Sequence, residues 1–134
     1  MTNAKITTFL MFAGQAEEAM NFYVSVFERA EIHMIHRFGS DAGAAEGSVM
    51  HATFSLKDQT FMCIDSIVKH EFGFTPSMSL FVECDTEQEI EHLYHKLSEG
   101  GAVLMPLSST PISKSFGWIS DRYGVSWQLN LRKE

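Results

Sequence analysis

Cysteines, cationic side chains and long apolar runs are all scarce in this chain, and each scarcity excludes something. Cys63 and Cys84 are the only cysteines among 134 residues, and each sits inside an apolar run. They read as reduced thiols packed as small hydrophobes, not as a disulfide framework. Ten Lys and Arg stand against seventeen Asp and Glu, a net charge of −7, and no basic run occurs. A phosphate backbone or an anionic bilayer demands clustered cations, so neither nucleic acid nor membrane is expected as a partner. No apolar stretch approaches the roughly 18–20 residues that span a bilayer. The opening MTNAKITTFLMF also lacks the basic region, long apolar core and small-residue cleavage site of a secretory signal. A cytoplasmic location is therefore expected. Also missing are a nucleophile elbow, a phosphate-cradling glycine loop and a Ser-His-Asp order.

What is present is an ordinary globular composition, long enough for one domain with a real core. Lys5 to Phe12 (KITTFLMF) is a short apolar, β-branched run ended by Ala13-Gly14, and it reads as a strand. Ala16, Ala19, Met20, Tyr23, Val26 and Phe27 then recur at three- and four-residue spacing, one face of an amphipathic helix with Glu17 and Glu18 in its first turn. Strands are expected over Glu31–Phe38, Ser48–Leu56 and Thr60–Ile64, with a loop from Gly39 to Gly47 and a hairpin at Lys57-Asp58-Gln59.

The order then begins again. Ser77–Cys84 is an apolar run, and Thr86–Ser98 a helix with Thr86 and Glu89 spaced as a capping box. Ile90, Leu93, Tyr94 and Leu97 form its buried face and Gly100-Gly101 its stop. Strands follow at Ala102–Leu107, Phe116–Ser120 and Val125–Leu131, the last two joined by an Asp121-Arg122-Tyr123-Gly124 turn. The pattern is βαβββ written twice, an α+β fold in one domain, 1–134, with modules at 1–68 and 76–134. Laying AEEAMNFY on EQEIEHLY takes a shift of 71, which also pairs Thr8 with Ser79.

Three stretches, GQAEEAMNFYVSVF, MHATFSLKDQTFM and FGWISDRYGVSWQL, resemble the PhnB-like or 3-demethylubiquinone-9 3-methyltransferase-like domain. That family lies within the vicinal oxygen chelate superfamily of glyoxalase I, bleomycin-resistance proteins and extradiol dioxygenases. The resemblance spans nearly the whole chain and is most specific from Trp118 to Gln128. It implies two βαβββ modules enclosing a U-shaped cleft, usually in a homodimer, with a small-molecule ligand.

In the enzymes of that superfamily a divalent ion is held by His, Glu or Gln from the first and last strand of each module. The positions implied here are Thr8, Ser79, Gln128, and one of Cys63, Ile64 or Asp65. Hydroxyls are weak donors for such an ion, so no metal of the glyoxalase kind and no cofactor is expected. His33 and His36 should leave opposite faces of a strand and chelate poorly as a pair. His92 and His95 share a helix face opposite Ile90, Leu93 and Leu97 and should be solvated.

His51, inside VMHATF, reads either as a cleft group capable of acid-base work or as a satisfied strand histidine. Trp118 and Trp127 stand on antiparallel strands, one for the cleft and one for the core or a dimer interface. Gln128 shares a face with Ser126 that Trp127 does not. The expected ligand-binding residues are Thr8, His51, Cys63, Asp65, Ser79, Phe81, Trp118 and Gln128, with no catalytic residue assigned. The reading is a metal-free binding protein. Its alternative is a lyase, isomerase or dioxygenase, metal-dependent or using His51 with Asp65 or Glu83. Methyl transfer lacks the glycine-rich turn and doubly wound sheet of the common S-adenosylmethionine enzymes.

Overall fold

A computed structural model describes residues 5–40 and 45–133. Residues 1–4 of the N-terminal segment, 41–44 of the expected loop, and 134 lie outside them. The chain divides into two compact units, Met1–His70 and Glu71–Glu134, each an α+β unit of one helix and one four-stranded sheet.

The first unit comprises β1 (Thr8–Phe12), α1 (Ala16–Val26), β2 (Glu31–Arg37), β3 (Val49–Leu56) and β4 (Gln59–Asp65). Its sheet runs β1-β4-β3-β2, with β1 parallel to β4 and the other pairs antiparallel. β1 is shorter than its apolar run because pairing begins at Thr8 opposite Phe61, leaving Ile6 exposed. The core lies between α1 and one sheet face. Ala16, Ala19, Met20, Tyr23 and Val26 are buried on the helix, and Leu10, Phe12, Ala52, Phe54, Phe61 and Cys63 on the sheet. The rings of Tyr23, Phe54 and Phe61 stack in sequence, at 6.4 and 5.3 Å between centroids. The β3–β4 hairpin closes at Leu56 opposite Gln59, so its turn is Lys57-Asp58 alone. Both residues take positive φ, 49° and 68°, the backbone of a type I′ turn.

The second unit comprises β5 (Ser79–Glu83), α2 (Glu87–Ser98), β6 (Ala102–Ser108), β7 (Ser113–Ser120) and β8 (Ser126–Arg132), in sheet order β5-β8-β7-β6. The N-cap of α2 is a variant of the expected capping box. Thr86 Oγ1 accepts from the Glu89 amide at 3.0 Å, but the Glu89 carboxylate reaches back to the Asp85 amide at 2.7 Å. Ile90, Leu93 and Leu97 are buried, as are Val82, Ile119, Trp127 and Leu129 on the sheet, while Tyr94 is half-buried and His92 and His95 are exposed. β7 begins three residues earlier than its apolar pattern, because the polar Ser113 and Ser115 still pair with Arg132 and Leu131 of β8.

Asp121 makes the β7–β8 turn as expected. Its Oδ1 accepts from the amides of Tyr123 and Val125 at 2.8 and 3.0 Å, and Gly124 takes φ +92°. Asp121 Oδ2 also accepts from Trp127 Nε1 at 2.9 Å, which secures the indole beneath the sheet.

Candidate functional site

Strand register decides which expected site residues meet. In the second sheet the α2 side is marked by Gly117, where a Cβ would stand 3.2 Å from Tyr94 Cδ1. Alternation then sends Phe116 and Trp118 to the opposite, open face. Trp118 lies across from Gln128, Phe81 beside Gln128, and Ser79 beside Ser126. Four of the expected residues, Ser79, Phe81, Trp118 and Gln128, therefore share this face. They are joined by hydrogen bonds: Trp118 Nε1 donates to Ser126 Oγ at 2.8 Å, Ser126 Oγ lies 2.7 Å from Ser79 Oγ, and Gln128 Nε2 donates to Ser79 Oγ at 3.4 Å. All are neutral hydroxyl, amide or indole groups.

Following the same face along β5 and β8 leads from Phe81 to Glu83 and from Gln128 to Asn130 and Arg132. There a pocket of about 650 Å³ opens, within the 300–1,000 Å³ typical of small-molecule sites. Its apolar walls are Phe81, Met105, Pro111, Ile112 and Phe116. The Phe81 and Phe116 rings stand 6.5 Å apart, tilted by 36°. Its floor is a chain of polar groups: Ser113 Oγ donates to Asn130 Oδ1 at 2.5 Å, and Asn130 Nδ2 donates to Glu83 Oε1 at 3.0 Å. Ser113 and Asn130 are buried. The β6–β7 loop forms the rim and is held by Thr110, whose Oγ1 accepts from the Ile112 and Ser113 amides at 3.2 and 2.9 Å.

Among these lining residues the sequence pointed to Phe81 for the cleft and to Glu83 only as an acid-base partner of His51, and it did not point to Asn130, Ser113, Ile112 or Phe116. Extending the two-residue period along β8 reaches Asn130 and Arg132. The loop residues come from β6–β7 and carry no such signal.

The remaining expected residues belong to the first unit and separate there. Thr8, Cys63 and Asp65 lie in register with Leu10 and Phe12 on the face that α1 covers. The Asp65 carboxylate is committed to backbone: Oδ1 accepts from Gly14 and Ala16, and Oδ2 from Val49, each at 2.9 Å. Burial, and next the Asp65 charge, push the Cys63 thiol up to about 12. His51 alone points to the face away from α1, its ring stacked on Phe9 at 6.3 Å.

Two expectations about facing need correction. The shift of 71 cannot carry Thr8 onto Ser79, because Leu10 and Phe12 in β1 and Val82 in β5 all bury toward their helices, and an odd shift reverses sides. The helix pairs Met20 and Ile90, Tyr23 and Leu93, and Phe27 and Leu97, all buried, fit a shift of 70 instead. That shift makes Phe9 the counterpart of Ser79 and Met11 that of Phe81, and the parallel pairing of Met11 with Ile64 and of Phe81 with Gln128 then makes Ile64 the counterpart of Gln128. His33 and His36 do not leave opposite faces either. A register shift after Ile32 breaks the alternation, so that His33 Nε2 reaches Ser55 Oγ at 3.0 Å while His36 lies opposite His51.

Residues 4–130 match the model of the family described as 3-demethylubiquinone-9 3-methyltransferase. The chain belongs to that family. It is 61% identical to a PhnB protein of Bacillus cereus, a solved structure described under the same methyltransferase name, with a TM-score of 0.92 over 96% of this chain and 99% of that one. A Pseudomonas aeruginosa structure, at 28% identity, gives a TM-score of 0.85 over 98% of this chain and 100% of that one. The glyoxylase/bleomycin resistance protein/dioxygenase domain of a Frankia species is only 11% identical but gives a TM-score of 0.70 over 99% and 95%. That likeness shows a shared fold.

Proposed function

We propose that this family member binds a small organic molecule on the open face of its second sheet, without a chelated metal. The observation that carries the reading is the pocket of about 650 Å³, apolar in its walls and polar along its floor. Burying a ligand ring of roughly 150 Å² there would contribute about 4 kcal/mol at roughly 25 cal/mol per Å². The positions related by the corrected repeat, Phe9, Ile64, Ser79 and Gln128, offer one hydroxyl and one amide. A divalent ion of the superfamily's kind takes imidazole or carboxylate, so this donor set does not fit it. Methyl transfer is not adopted: each sheet has a single parallel pair among its described strands, not a doubly wound arrangement.

The reading also takes the modules as 1–68 and 76–134, the functional form as a homodimer and the location as cytoplasmic. Among the described residues no helix is long and apolar enough to cross a membrane.

Titration with 1-naphthylmethanol, followed by tryptophan fluorescence, tests the site. Saturable binding is expected, unchanged by chelators and weakened in both Phe116→Ala and Ile112→Ser. Ile112 is 83% exposed, so its substitution leaves the fold intact. Binding that needs a stoichiometric divalent ion, or that ignores both substitutions, refutes the proposal.

A further inference from the structure

We infer that Glu83 makes this pocket selective for protonated amines carried on an apolar or aromatic body, an inference that rests on the pocket being a ligand site. The carboxylate is the charged group that the floor orients. Asn130 is only 6% exposed, and its amide is fixed at both ends: its oxygen accepts from Ser113 and its nitrogen donates to Glu83. Ser113 is itself anchored through its amide to Thr110 Oγ1. The chain of donors thus runs from the rim loop through the floor and ends on a carboxylate, which accepts and does not donate. A ligand carbonyl or carboxylate placed there meets like charge or an acceptor without a hydrogen. An ammonium brings donors and the opposite charge.

The walls agree with this chemistry. Phe81 and Phe116 present two tilted rings on the same lining, and ring faces attract a cation at close range. Arg132 is a competing charge. Its Nε forms a loose ion pair with Glu83 Oε1 at 3.9 Å, beyond hydrogen-bond range, and its side chain is 78% exposed against 50% for Glu83. A guanidinium so placed in water is screened and moves aside cheaply. Among the described residues of the pocket floor, the buried amide of Asn130 aims Glu83 and not Arg132. The net charge of −7 further draws cations toward the surface as a whole.

A matched series tests the assignment at neutral pH: 1-naphthylmethylamine as cation, 1-naphthylmethanol as neutral shape, and 1-naphthoate as anion. The amine is expected to bind at least about tenfold tighter than the alcohol, as a charge-assisted hydrogen bond provides, with the anion weakest. Glu83→Gln is expected to abolish that preference, bringing the amine down to the affinity of the alcohol in the same variant, since the apolar walls remain. An amine that binds no tighter than the alcohol, or a preference that survives Glu83→Gln, overturns the inference and leaves the pocket standing. No saturable binding by any of the three, or binding by all three that ignores Ile112→Ser, overturns the pocket itself and the inference with it.

Discussion

Replacing Asp65 by Asn separates an architectural carboxylate from a ligand-binding one. Asp65 was expected to line a cleft, but its two oxygens accept three backbone hydrogen bonds, from Gly14 and Ala16 at the start of α1 and from Val49 at the start of β3. The side chain is 5% exposed, so water cannot replace what is lost. Asn has the same shape. Its amide oxygen can serve one side of the old carboxylate, leaving the NH2 to face an N–H donor on the other.

The substitution therefore removes at least one hydrogen bond to a charged acceptor, about 1.5–3 kcal/mol, and strands a buried donor at about 1–3 kcal/mol. The negative charge at the N-terminus of α1 also goes, at about 0.3–1 kcal/mol. These overlap, and a loss of about 3–4 kcal/mol is expected. With a urea slope of roughly 2 kcal/mol per M, the midpoint of unfolding of the first unit should fall by about 1.5–2 M. Circular dichroism during urea titration reads it, with naphthyl-probe binding measured below the transition. A midpoint shift under about 0.5 M, or lost probe binding in the still-folded protein, would refute the structural role.

Two other predictions concern Cys63 and a pair of glycines. Cys63 holds its proton up to about 12 in the folded chain, against 9.0 for an ordinary thiol. The folded state therefore favours the neutral thiol, a contribution complete below about 9 and lost as the pH rises from there toward 12. Native Cys63 should resist thiol reagents at mildly alkaline pH and react on unfolding, and the alkaline fall in urea midpoint should flatten in Cys63→Ala. Reaction in the native state or an unchanged slope would contradict this. At Gly101 a Cβ would stand 2.0 Å from the Ser120 carbonyl oxygen, whereas at Gly117 it would meet Leu107 Cδ2 at 2.9 Å. Gly117→Ala asks only side chains to shift, the Leu107 tip and by a few tenths of an ångström the Tyr94 ring, at about 1–3 kcal/mol. Gly101→Ala must move backbone and should lower the melting temperature more; the reverse order would be inconsistent with the packing.

The parts of this fold legible in the sequence are those with local causes. The apolar spacing from Ala16 to Phe27 and from Ile90 to Leu97 marks both buried helix faces, and Thr86 caps α2 as its spacing implies. The family motif from Trp118 to Gln128 forms the expected hairpin, with Trp127 buried and Gln128 on the other face. Errors arose where one residue changes parity. The register shift after Ile32 turns His33, and an odd repeat shift sent Thr8 to the wrong side, because alternation carries no memory across an irregularity. Asp65 was legible as a polar residue ending an apolar strand, but its partners lie up to 51 positions away. Nothing local announces them. The pocket was legible only in part for the same reason: of the expected ligand-binding residues Phe81 alone lines it, while its floor needs Ser113, Asn130 and Glu83 brought together from three strands.

That long reach of Asp65 has a consequence for synthesis on the ribosome. The amides of Gly14 and Ala16 open α1, yet their acceptor belongs to a residue made about fifty positions later. Until β4 has emerged, β1 also lacks its parallel neighbour, and an isolated helix of this length is marginal in water. The first half of the nascent chain is thus held open until Asp65 clears the exit tunnel. Helix, first strand and sheet then close together, and truncations ending before β4 should behave as unfolded chains.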